Sequence, residues 1–142
     1  MKIKFILAFF LSLVLSAISI DATSHRHTDV LAFWKDFKAA IEKKDKNAVA
    51  ALTKFPLSMP YGVKSVKTKA DFLKRYKNIF NGEANAAKCF QKANLEKENS
   101  KNYFVFCSFK QTPNDTENTP IKYSFELTET GWKFAGLDNI NE

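Results

Sequence analysis

The chain is poor in the residues that most site chemistries need. Two histidines, two cysteines, four glycines and four prolines are spread over 142 residues. His25 and His27 could chelate together, but no carboxylate or thiol cluster stands near them to complete a metal site, so no metal is expected. Cys89 and Cys107 lack a Cys-x-x-Cys spacing, which excludes a redox-catalytic pair. No cofactor motif, internal repeat or low-complexity tract interrupts the chain. A content of 45% hydrophobic and 14% aromatic residues argues for one domain with a substantial core.

The amino end carries the strongest local signal. Lys2 and Lys4 precede an apolar run from Phe5 to Leu15, and small residues follow at Ala17, Ser19 and Ala22. This reads as a secretory signal peptide over 1–22, with cleavage between Ser19 and Ala22 and a single mature domain over 23–142. The run is shorter than the ~20 residues of a spanning helix, so the mature form is expected to be periplasmic or secreted and not membrane-integral. Removing residues 1–22, which carry a net +1, lowers the formal charge from +7 to +6. Lys64, Lys67, Lys69, Lys74, Arg75 and Lys77 make the densest basic cluster. It reads as a solvated face with at most weak attraction to anionic envelope polymers; nucleic acid is not an expected partner.

An oxidising compartment allows Cys89 and Cys107 to pair. If the polar turn at Lys97–Lys101 joins two antiparallel strands, a register centred near Glu98 sets the two cysteines opposite each other, close enough to bridge. A disulfide is expected; two thiols packed as small hydrophobes is the other reading.

From Thr28 a helix is expected, with Thr28 as N-cap and Val30, Phe33, Trp34, Phe37 and Ile41 on one face. Asp45 caps a short second helix that Phe55-Pro56 ends, and an extended segment with Pro56 to Gly62 follows. Thr68 and Asp71 stand at capping-box spacing before a third helix carrying Phe72, Leu73, Tyr76, Ile79 and Phe80, ended by Asn81-Gly82, residues that tolerate the left-handed cap conformation. The pattern then turns to period 2. Lys88 to Glu96 and Tyr103 to Lys110 are predicted as a hairpin, and Pro120 to Thr128 and Trp132 to Leu137 as two further strands. Three helices followed by a meander predict an α+β fold: three N-terminal helices on a curved, mainly antiparallel sheet of four to five strands.

The aromatic opening helix, the Asp45 break, Phe55-Pro56-Leu57, the Asp71 to Phe80 helix and the closing Gly131-Trp132-Lys133-Phe134 resemble the nuclear transport factor two and ketosteroid isomerase superfamily, the cystatin-like cone fold. The resemblance spans nearly the whole mature chain and implies a sheet wrapped on a long helix, with a pocket open at one end. The superfamily holds isomerases, dehydratases, cyclases and non-enzymatic binding modules, so the site must choose among them. Enzymatic members use an Asp base, or His with Asp, plus a hydroxyl donor in the pocket. Both histidines here lie at the amino end, and Asp36 falls about 110° from the centre of its helix's apolar face. Glu126 points away from the helices by alternation. No catalytic residue is therefore assigned.

Trp34, Phe37, Tyr76, Tyr103, Tyr123 and Trp132 are the ligand-pocket candidates on the helix-covered side, or else plain core. Phe90, Phe104 and Phe106 among polar neighbours mark a partner surface. Superfamily members commonly dimerise through that convex face, which implies a homodimer. The reading that results is an exported, non-catalytic binding or interaction module. Its ligand or partner would be a small apolar molecule, an envelope component or a protein such as a toxin, as for immunity-type proteins of this fold. The alternative is a small lyase or isomerase using an aromatic pocket with Asp36 and Tyr76.

Overall fold

The structure is a computed structural model that describes residues 28–59 and 65–141. The expected signal peptide, His25 and His27, Pro60 to Gly62 and Lys64 lie outside the described residues. The elements in order are α1 (Val30–Glu42), α2 (Lys46–Ala51), β1 (Thr53–Ser58), β2 (Ser65–Val66), α3 (Lys69–Asn81), α4 (Ala86–Lys92), β3 (Glu96–Lys97), β4 (Asn102–Cys107), β5 (Ile121–Thr128) and β6 (Gly131–Asn139). The strands form one mixed sheet in the order β2-β1-β6-β5-β4-β3, antiparallel except where β1 runs parallel to β6. The fold is α+β, with helices packed against a mainly antiparallel sheet as predicted. Among the described residues it holds four helices where three were expected, and six strands, two of them only two residues long.

Local chemistry sets the helix ends. Asp29, not Thr28, caps α1: its carboxylate accepts from the Leu31 amide, satisfying one of the donors a helix start leaves open. Asp45 caps α2 through the Ala48 amide as expected. The helix stops at Ala51, before Phe55-Pro56, which instead lies inside β1 with a cis peptide bond. Thr68 caps α3 by accepting from the Asp71 amide, and Asp71 returns the contact by accepting from the Thr68 hydroxyl. Gly82 closes that helix at φ −78°, outside the left-handed region. Its role is steric, because a Cβ there would collide with the Asn78 carbonyl. Gly131 does need glycine's freedom, since φ is 102° where the β5–β6 turn re-enters the sheet.

The fourth helix replaces the first strand of the predicted long hairpin. Asn85 accepts from the Lys88 amide as N-cap, and Ala86 and Phe90, four residues apart, face the core together. Seven residues fit period 2 and period 3.6 about equally, and a strand reading that sets Lys88, Phe90 and Lys92 together on one face hid the helix. Phe90 is consequently core, at 1% exposure, and not part of a partner surface. The surviving hairpin is short and pairs Glu96 with Phe104 and Lys97 with Tyr103. That register is centred two residues beyond the one predicted.

The alternation of the later strands translates directly into faces. Val105, Cys107, Tyr123, Phe125, Trp132 and Phe134 are buried beneath the helices, joined by Phe33, Phe37, Phe72 and Phe80. Rings meet at short range and mostly inclined, Phe37 to Phe125 at 5.3 Å and Phe80 to Phe134 at 5.5 Å, the arrangement aromatic quadrupoles favour. On the other face Lys54 of β1 reaches across β6 to Glu126 of β5 at 2.7 Å, so Glu126 points outward as expected. Lys67, Lys69, Lys74, Arg75 and Lys77 are all exposed, as a solvated face requires.

Candidate functional site

Five of the six pocket candidates, Trp34, Phe37, Tyr76, Tyr123 and Trp132, belong to the buried core. Trp34, Phe37, Tyr123 and Trp132 are at most 6% exposed. Phe90 lies 5.0 Å from both Trp34 and Tyr123, bringing α1, α4 and β5 together. The Tyr123 hydroxyl donates to the Ile79 carbonyl at 3.1 Å, and burial, then the Glu83 carboxylate, push its pKa well up. Such a phenol is a fastening between sheet and α3. Trp132 donates its indole N–H to the Thr28 carbonyl and meets the half-buried Tyr103 ring edge-on at 5.3 Å.

Tyr76 differs from the others. Its hydroxyl is buried with no hydrogen-bond partner among the described residues. Burial first, and then the negative charge of Asp45, raise its pKa to about 12. The Lys46 ammonium sits 5.7 Å from its ring centroid. The residues that act on Tyr76 are thus the cap and first residue of α2, a pair the sequence reading did not connect to it. Asp36 lies on the exposed side of α1. No carboxylate or imidazole belongs to the buried set of the described residues, whose polar members besides the tyrosines are Thr53 and Asn139.

The cysteines pair, but not across a hairpin. Cys89 on α4 bridges to Cys107 at the end of β4, with Cα atoms 5.8 Å apart. Had β3 continued in its observed register, Cys107 would have faced Ala93.

Beside this bridge lies a groove of about 500 Å³. The exposed side of α4 forms one wall, the end of β4 with the disulfide its base, and the loop through Pro113 to Thr119 the other wall. The loop's one aspartate, Asp115, turns its carboxylate onto the amides of Glu117 and Asn118, and its carbonyl accepts from the Ser108 hydroxyl. Lys88, Lys92 and Lys110 line the groove and no carboxylate does. The only advance signal was the Asn85-Ala86-Ala87 start, which makes Lys88 and Lys92 neighbours on a helix face.

Phe104 and Phe106 stay on the outer face, both half-buried, with ring centroids 5.0 Å apart. The Lys122 ammonium stands 4.7 Å over Phe104 and also reaches Glu98 at 3.3 Å. Among the described residues no helix is long and apolar enough to cross a membrane, and no group of three metal-ligating side chains gathers.

The chain is similar to solved structures that include two NTF2-like proteins of unknown function. An NTF-2 like protein of unknown function from Shewanella oneidensis aligns at TM-score 0.43 and 14% identity, over 77% of this chain and 93% of that one. A hexachlorocyclohexane dehydrochlorinase (LinA) of type 2 aligns at TM-score 0.41 and 11% identity, over 77% and 80%. An NTF2-like protein of unknown function from Pseudomonas putida aligns at TM-score 0.41 and 9% identity, over 77% and 81%. No protein-family model matches the chain, and no curated protein matches it in sequence.

Proposed function

We propose that the protein is an exported, non-catalytic binding module that forms a homodimer through the outer face of its sheet. The observation that carries this reading is the make-up of the interior. Base catalysis in a cone pocket needs a desolvated carboxylate or imidazole, and the buried set of the described residues offers rings, aliphatic groups, phenols, the Thr53 hydroxyl and the Asn139 amide instead; Asp138, which has one buried and unpartnered carboxylate oxygen, is half-buried and stands opposite Lys122 in the β5–β6 register, away from the helices. Asp36 stands on the exposed side of its helix, and the negative charge acting on Tyr76 is that of Asp45. The disulfide supports export, since such bridges persist in oxidising compartments. Phe104 and Phe106 support the dimer, as two neighbouring half-buried rings on an otherwise polar face.

Native mass spectrometry of protein purified from the producing cells' exported fraction tests the reading. A dimer whose chains begin between residues 20 and 23, carrying a molecule released unchanged, is the expected result. Release of a molecule chemically altered from the one loaded would overturn the non-catalytic role. Sedimentation equilibrium of F104S/F106S is expected to show a monomer; an unchanged dimer would remove that face as the interface.

A further inference from the structure

We infer that the groove between α4 and the Pro113 to Thr119 loop is a binding site for a small organic anion, a phosphate or carboxylate on a flat body. The inference rests on the binding-module reading and names its ligand class.

Three lysines, Lys88, Lys92 and Lys110, line this groove. Lys88 and Lys92 are one helical turn apart on the exposed side of α4, and neither has an ion-pair partner among the described residues. Lys110 enters from β4's far end, where its backbone amide is fixed on the Glu83 carbonyl and its ammonium donates to the Asn81 carbonyl at 3.2 Å. An ammonium has three donors, so that contact leaves Lys110 further capacity. Lysines lining a groove that holds no carboxylate give it a positive field, which favours an anion.

The rest of the lining suits a small molecule better than a bare ion. The Asn114 side chain adds a neutral hydrogen-bond donor, and the half-buried Phe109 offers a ring surface. The volume falls in the range of small-molecule sites. The other lysine-rich region, on α3, has charge of the same sign but is a solvated helix face. It therefore serves as the control.

The test uses 1-naphthyl phosphate, 2-naphthoate and 1-naphthol as probes, with amide chemical shifts of the oxidised protein as readout. The two anions are expected to shift amides in 85–93 and 106–119 to saturation, more weakly as salt rises, while the neutral naphthol leaves them in place. K88Q/K92Q is expected to weaken binding at least tenfold with an otherwise unchanged spectrum, and K74Q/K77Q to leave it within about twofold. Naphthol binding as tightly as the anions would overturn the inference. So would shifts scattered over the surface, or equal weakening by both double variants. If the anions fail while native mass spectrometry finds another ligand, this inference falls and the binding-module reading stands.

Discussion

Replacing Phe90 by alanine separates a core residue from a surface one at a position where sequence pattern and structure disagree. The ring is 1% exposed and sits 5.0 Å from Trp34, 5.0 Å from Tyr123 and 6.1 Å from Phe37. Its removal exposes no new surface to water, so the space it leaves must either stay empty or close by moving α4. The Cys89–Cys107 bridge, one residue away, resists that movement. Truncations of this kind cost about 3–5 kcal/mol. The edge-on contacts with Trp34 and Tyr123 place Phe90 in the upper part of that range, because aromatic pairs add about 0.5–1.5 kcal/mol beyond buried area. With a urea m-value of about 2 kcal/mol/M, a loss of about 4 kcal/mol lowers the unfolding midpoint by about 2 M at unchanged slope. L31A is the internal comparison, since Leu31 is 66% exposed on α1 and its loss is expected to cost under about 0.5 kcal/mol. Equilibrium urea unfolding followed by far-ultraviolet circular dichroism reads both. A midpoint shift for F90A no larger than that for L31A would refute the placement of Phe90 in the core, and with it the helix that turns it inward.

The disulfide closes a loop of 18 residues, for which chain entropy gives about 3 kcal/mol of stabilisation, so C89A/C107A should unfold at correspondingly lower urea and an unshifted midpoint would contradict it. Two tyrosine-to-phenylalanine variants should part company. Y123F strands the Ile79 carbonyl and should lose about 1–2 kcal/mol, whereas Y76F removes a buried hydroxyl without a partner and should be neutral or stabilising by up to about 1 kcal/mol; equal losses would contradict the two environments. The pH profile follows from the same groups. The folded protein holds the Tyr76 proton up to about pH 12, while the unfolded chain releases it near the ordinary value of 10.0. Its contribution is therefore fully present below about pH 10 and lost as pH rises towards 12. Y76F should flatten that alkaline fall in unfolding free energy, and an unchanged slope would count against the shift.

What was legible in this sequence, and what was not, divides along a physical line. The faces of β4, β5 and β6 could be read because the alternation of Val105, Tyr123, Phe125 and Phe134 runs over enough residues to fix a period, and burial follows it. The parallel seating of β1 against β6 could not, because nothing in Thr53 to Ser58 encodes which neighbour the strand will take. Residues 86–92 could not, because seven positions fit either period and the decision came from a cap at Asn85 and from packing. The cysteine pair is the instructive case. A hairpin register predicts the pairing, yet the bond forms between a helix and a strand end, because a count of two cysteines leaves one possible intrachain pair whatever the register. The groove falls in the same blind spot. It exists only because residues 86–92 are helical, which swings Phe90 into the core and leaves Lys88 and Lys92 together on the outside. The misread segment and the proposed site are one element, so a test of either bears on both. If F90A proves benign, α4 loses its anchor, and the two lysines lose the geometry that makes them a site.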